Sequence, residues 1–372
     1  MDLEFTAEQE LLRESVRRFL AEQAPISPYV RSMLDDARGT SDGVWLGLAS
    51  LGVTDLLAPG AGTGMVDMAV VLEELGRAVH PGPFTSSAVG AVSVVALAGS
   101  GADRAALLPG LGSGETVGCV ALLEPTRRYE WRAPVTLATP DGDGWRVDGT
   151  KVHVRDGVAA DVWFVTASAG DGLGVFAVSR GDDDGAVSIE PTPTVDGTRK
   201  EATITFDGAR ARRVGDGDAT DAVAQVVDRL AVADVVDGVG AAARALELAV
   251  EYARTRVQFD RPIGSFQAVQ HLCADMLQAV ELARAGAYYA CWAIDAADES
   301  ERHRAVTMAK AFASDELYRV GASAVQVFGG VGFTWEHDIH LYLKRLMSLR
   351  TAGGTTDDHL ADLAEIALAP DV

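Results

Sequence analysis

Tyr252-Ala-Arg-Thr-Arg256-Val-Gln258-Phe259-Asp-Arg-Pro262-Ile-Gly-Ser-Phe266-Gln267 separates two long stretches of helical apolar spacing. The helical period runs over roughly 220–256 and resumes over roughly 266–296 and 302–328, segments too long for ordinary globular helices. Long apolar stripes joined by short connections imply a bundle that also packs against other subunits. Arg256, at the end of the first segment, faces the negative end of a helix dipole, and its guanidinium can equally offer a two-pronged fork to a phosphate. On the residues alone, capping and phosphate binding both stay open.

Upstream, the spacing from Thr6 to about Gly112 is also helical. Leu11, Leu12, Val16, Phe19 and Leu20 share one stripe, as do Val70, Val71, Leu72, Leu75 and Val79, with Pro59-Gly60 and Pro81-Gly82-Pro83 as breaks. From about Glu115 to Arg213 the period drops to two: Val117, Cys119 and Ala121 alternate, Trp145–Val147 and Lys151–Val154 flank an expected Asp148-Gly149 turn, and Trp163–Thr166 and Val175–Val178 flank Gly170–Gly174. The expected class is α+β: an N-terminal helical domain (1–114), a middle antiparallel β domain (115–213) and a C-terminal four-helix bundle (214–372).

The 372 residues carry 32 Lys and Arg against 54 Asp and Glu, a formal charge of −22, which opposes binding to nucleic-acid phosphates or anionic membranes. No apolar run reaches the roughly 18 residues of a membrane span, and Cys119, Cys273 and Cys291 lack metal or disulfide spacing. A cytoplasmic protein with reduced cysteines is expected, with neither nucleic acid nor membrane as partner.

Two further stretches bear chemistry. In Gln326-Val-Phe-Gly329-Gly330-Val-Gly332-Phe333, glycines let a helix end sharply and a ligand approach the backbone. In Gly353-Gly354-Thr355-Thr356-Asp357-Asp358, Thr355 or Thr356 is a candidate N-cap for a last helix.

Together and in this order, these stretches resemble the acyl-CoA dehydrogenase family. The resemblance rests on the helical–β–helical order, the Arg-x-Gln-Phe stretch at 256–267 and the Gln-Val-Phe-Gly-Gly-x-Gly-Phe stretch at 326–333, and it covers almost the whole chain. It implies FAD, an acyl-CoA substrate, an electron-transfer flavoprotein as acceptor, and a homotetramer or dimer of dimers. In that chemistry the flavin takes a hydride from the acyl β-carbon while a glutamate removes the α-proton. The resemblance also implies that Arg256 meets the FAD pyrophosphate, Gln258 and Phe259 the adjoining FAD surface, and Gln267 the adenosine side. Gln326, Gly329 and Gly330 would line the adenosine pocket, with Thr355 at the terminal helix, all lent to a neighbouring subunit's cofactor.

The sequence departs from that pattern where the chemistry is done. The family's usual base position falls on Gly353, and a glycine takes no proton. An alternative base position falls on Leu230, with Asp228, Asp234 and Asp237 nearby but out of register, expected to be solvated or interfacial charges. The flavin-ring stretches are altered to Leu123-Glu124-Pro125-Thr-Arg-Arg128-Tyr129-Glu130 and, after Lys151, to His153-Val154-Arg155. No catalytic residue is therefore expected on this chain. Such one-sided loss resembles the subunit without catalytic glutamate of actinobacterial heterotetrameric, steroid side-chain acyl-CoA dehydrogenases, with a paralogous subunit supplying the base. Rival readings are a homotetramer with its base elsewhere, a flavin monooxygenase or oxidase of the same fold, and a cofactor-free structural subunit. His271, one turn after Gln267, is expected to be packed or interfacial.

Overall fold

The computed structural model describes residues 5–182 and 185–368 and divides into two compact units. Residues 1–4, 183–184 and 369–372 of the three expected domains lie outside the described residues.

One unit holds residues 29–68 and 81–230. Its helical part comprises α2 (Arg31–Met33), α3 (Asp42–Ser50), the start of α4 (Met65–Arg77), a wholly buried π-helical turn at Thr85–Ala91, α5 (Val92–Ala98) and α6 (Gly101–Ser113). Ser41 caps α3 by accepting from the Val44 amide, and Trp45 Nε1 donates to the Gly114 carbonyl at 2.8 Å. Seven strands follow: β1 (Gly118–Ala121), β2 (Leu137–Asp141), β3 (Gly144–Arg155), β4 (Val162–Ala169), β5 (Gly172–Ser179), β6 (Val187–Thr192) and β7 (Glu201–Val214). The pairings β4–β2–β3–β7–β5–β4 return to their start, so the sheet closes on itself and leaves few open edges. Pairing is antiparallel except for β1 beside β4 and a single bridge from Leu137 to Ser168. Period-two alternation turns Val147, Val154, Trp163, Val165, Phe176, Val178, Ile204 and Phe206 into one buried cluster.

The hairpin around Gly170-Asp171 forms as its glycines imply, with Ala169 opposite Gly172. The Asp148-Gly149 turn does not form. β3 runs straight through both residues with a bulge between Val147 and Gly149, and the chain reverses earlier, between Asp141 and Gly144. Thr136 explains the glycine, because a Cβ at position 149 would lie 2.6 Å from its Oγ1.

The other unit holds residues to 28, 69–80 and 231 onward. It comprises α1 (Ala7–Gln23), the end of α4, α7 (Thr220–Thr255) from Ala231 on, a two-stranded hairpin β8 (Val257–Gln258) and β9 (Arg261–Pro262), α8 (Gln267–Ala296), α9 (Glu299–Phe328), α10 (Ile339–Leu349) and α11 (Thr356–Leu368). Thr6 and Gln9 form a capping box at α1. On the stripe read from the sequence, Val16 and Leu20 are buried whereas Leu11 is 65 % exposed. From Ala231 to Ala242, α7 is buried almost all round, which fits a run of Ala, Val and Gly. It crosses α4 with backbones touching: a Cβ on Gly76 would stand 2.0 Å from the Asp237 carbonyl oxygen, and one on Gly240 2.0 Å from that of Glu73. α9 packs against α8, α10 and α11. Among the described residues, no helix is long and apolar enough to cross a membrane.

Candidate functional site

The elements that would face a dinucleotide all lie on the second unit. α7 ends at Thr255, and the Arg256 amide still donates to the Tyr252 carbonyl at 2.8 Å. The chain then makes the β8–β9 hairpin, whose two tip residues, Phe259 and Asp260, both have positive φ. The Ile263 amide closes the turn onto the Arg256 carbonyl at 2.8 Å. This leaves Arg256, Gln258 and Gln267 exposed and Phe259 86 % exposed, its ring edge-on to Phe266.

Gln326, on the last turn of α9, is also exposed. Gly329 follows with φ +63°, and nothing lies within 4 Å of where a Cβ would stand on Gly329 or Gly330. The donor set is a guanidinium, three primary amides and bare backbone, which suits the pyrophosphate and adenosine of FAD. The structure joins the Arg256 and Gln326 stretches through Tyr252 and Phe328, whose rings stack at 4.3 Å between centroids.

Thr355 stands at the start of the terminal helix. It N-caps α11: its Oγ1 accepts from the Asp358 amide, while its amide and hydroxyl donate to Asp358 Oδ2 at 2.9 and 2.6 Å. With Asp357 and Asp358 in that first turn, the helix start is already supplied with negative charge. His271 is exposed.

At the position matching the usual base, Gly353 has φ +67° and its carbonyl contacts His359 Nε2 at 2.8 Å. A Cβ there would stand 3.7 Å from Ala231 Cα and 3.8 Å from Lys310 Cε. Neither Gly353 nor Leu230, the two positions where the resemblance would put a carboxylate, holds one. Lys310 is fully buried and donates to Ser314 Oγ and the Leu349 carbonyl. The nearby aspartates are not solvated as expected: Asp228, Asp234 and Asp237 are all buried. Asp237 accepts from Arg345 Nη1 at 2.9 and 3.0 Å, while Arg345 Nη2 donates to the His80 carbonyl. An aspartate out of register points into the packed helices, where a paired charge is tolerated.

The stretches matching the flavin-ring contacts lie on the β unit. Glu124 and Lys151 form a buried ion pair at 2.9 Å. Glu124 also accepts from the Val135 and Thr136 amides, and Lys151 also donates to the Leu122 carbonyl and Thr166 Oγ1. One carboxylate thus ties the two ends of the 125–134 loop together. Burial raises the Glu124 pKa, but hydrogen bonds from Thr136, Val135 and Lys151 outweigh it and bring it to about 2; burial pulls Lys151 down to about 8. Sequence reading passed over this pair, whose only signal is a charge placed among buried strand positions.

Within the loop, Thr126 and Arg128 have positive φ, and Arg132 lies over the Trp131 ring at 4.4 Å. At the end of β3, His153 (φ +52°) contacts Glu201 Oε2 at 2.7 Å, Arg155 pairs in register with Glu201, and Asp156 (φ +56°) is buried. Arg155 thus occupies a position where the resemblance expects a small hydroxyl.

Residues 6–115 match the N-terminal domain of acyl-CoA dehydrogenases, and residues 225–368 match their C-terminal domain. The chain is 31 % identical over 344 residues to acyl-CoA dehydrogenase IpdE2 of Mycobacterium tuberculosis, covering 91 % of this chain and 90 % of that protein. Among solved structures, a single-residue variant of the Tcur3481–Tcur3483 steroid ACAD superposes with TM-score 0.88 at 30 % identity, covering 97 % of each chain. The ChsE4–ChsE5 complex from Mycobacterium tuberculosis superposes with TM-score 0.90 at 28 % identity over the full length of both chains. With its helical–β–helical architecture and these matches, the chain belongs to the acyl-CoA dehydrogenase family, the FAD-dependent flavoproteins that oxidise acyl-CoA thioesters.

Proposed function

We propose that this chain is the subunit of a heteromeric acyl-CoA dehydrogenase that lacks the proton-abstracting glutamate. It lends Arg256, Gln258, Phe259, Gln267, Gln326, Gly329, Gly330 and Thr355 to the ADP side of an FAD whose ring and base a paralogous subunit provides. Bound FAD supplies the hydride acceptor for α,β-desaturation. Arg256 neutralises and orients the pyrophosphate, the glutamines hold the adenosine end, and this chain moves no proton. The observation that carries the reading is the contrast between the exposed donors from Arg256 to Gly330 and Gly353, a positive-φ glycine at the base position. The Glu124–Lys151 pair keeps the degenerate ring stretches folded without making them a flavin seat. The substrate class is a bulky acyl-CoA of the steroid side-chain type, supported by the likeness to the Tcur3481–Tcur3483 and ChsE4–ChsE5 assemblies. Electrons pass on to an electron-transfer flavoprotein. The three domains proposed for the chain are 1–114, 115–213 and 214–372.

Co-expression with a paralogous acyl-CoA dehydrogenase subunit tests this. The expected result is a stable mixed assembly with about one FAD per pair of unlike chains, active only when the partner keeps its glutamate. An isolated chain that purifies with stoichiometric FAD and oxidises an acyl-CoA unaided overturns the proposal.

A further inference from the structure

The stack between Tyr252 and Phe328 joins two segments separated by more than seventy residues of chain. Tyr252 sits in the last turn of α7, and its carbonyl receives the Arg256 amide, so its position fixes where Arg256 leaves the helix. Phe328, 3 % exposed, is the last residue of α9, two after Gln326 and directly before Gly329. The rings lie 4.3 Å apart at 23°. Phe328 also meets His337 at 4.2 Å and 40°, and His337 Nδ1 accepts from the Ile339 amide at the start of α10. Three rings thus tie together the end of α7, the end of α9 and the entry to α10.

Each dinucleotide-facing segment is otherwise exposed. Arg256, Gln258, Gln326, Gly329 and Gly330 all stand in solvent. A rigid bidentate fork and a glycine turn can grip one ligand together only if their separation is set before binding, because ordering them afterwards costs affinity. We propose that the Tyr252–Phe328 stack is the positioning element that holds the Arg256 segment and the Gln326–Gly330 segment at the spacing of one ADP moiety. The inference rests on the ADP-side reading above. The rings act through their faces: the Tyr252 hydroxyl is not needed, and a flat ring at both positions is.

The test uses the co-expressed assembly, with FAD as the probe, and compares Tyr252→Phe, Tyr252→Leu, Phe328→Leu and the Tyr252→Leu/Phe328→Leu double variant. FAD dissociation constants are read by flavin fluorescence, and thermal midpoints of the flavin-stripped assembly are read alongside. Each leucine variant is expected to weaken FAD on the order of tenfold, the double variant little more than either single one, and Tyr252→Phe not at all. Leucine variants that lower the flavin-free midpoint while FAD affinity holds make the stack plain packing and overturn the proposal, as do losses that add in the double variant. Arg256→Gln is the control for the parent reading. If it weakens FAD while the leucine variants do not, only the positioning role fails; if Arg256→Gln leaves FAD binding unchanged, the ADP-side reading itself fails.

Discussion

Ser86 Oγ donates a 2.6 Å hydrogen bond to Asp156 Oδ2, joining the buried π-helical turn to the end of β3. It is a strong contact to a group in an unfavourable place. Burial pushes the Asp156 carboxyl up to about 6, against the lowering influence of Ser86, Arg155 and Arg199. A carboxyl whose folded pKa is raised favours the folded state only while protonated. The penalty is absent below about pH 4, where both states hold the proton, and complete above about pH 6. Asp156→Asn keeps the shape, still accepts from Ser86 and tolerates the positive φ of this position. It is expected to stabilise the chain by about 3 kcal/mol at pH 8 and to leave stability near unchanged at pH 4. Urea unfolding of both forms across that range checks it; an equal effect at both ends is the contrary result.

Glu124 behaves in the opposite sense. Its pKa of about 2 lies below the ordinary carboxylate value, so its contribution is present above about pH 4.5 and fades as pH falls toward 2. Glu124→Gln strands the Lys151 ammonium and loosens both ends of the 125–134 loop. A loss of about 3–5 kcal/mol at pH 7 is expected, shrinking in acid. Denaturant midpoints at pH 7 and pH 3 decide it.

Arg256 is exposed, at the mouth of the β8–β9 hairpin, and the turn there is closed by its backbone rather than its side chain. In the mixed assembly, Arg256→Gln is expected to raise the FAD dissociation constant by roughly one to two orders of magnitude, the worth of a charge-assisted hydrogen bond to phosphate. The melting point of the flavin-free assembly is expected to stay put. Equilibrium dialysis against FAD and a thermal scan together make the measurement.

Gly353→Glu is the direct attempt to restore a base. Because position 353 has φ +67°, the side chain is expected to cost about 1–2 kcal/mol in stability. The isolated variant is expected to show no acyl-CoA oxidation, since the ring positions stay degenerate. Stopped-flow bleaching of flavin absorbance on adding an acyl-CoA would reveal any gain.

Periodic features were legible in advance because they are local. The 3.6-residue spacing located α7, α8 and α9 to within a few residues, and Thr355 was readable as a cap from its place before Asp357 and Asp358. What stayed hidden depends on partners distant in sequence. Asp237 looked like a surface charge because Arg345, 108 residues on, cannot be matched to it by spacing. Gly149 looked like a hairpin turn because Thr136, which crowds it, belongs to another part of the chain. The Tyr252–Phe328 stack escaped for the same reason, although both flanking stretches were singled out.

Gly353 and its neighbour Gly354 both have positive φ, at +67° and +96°. Two consecutive left-handed residues make a backbone corner that glycine adopts freely and that an acidic side chain at 353 enters only under strain. A carboxylate introduced at 353 therefore brings an acid without a backbone relaxed around it, and side-chain chemistry alone does not make this corner a base site.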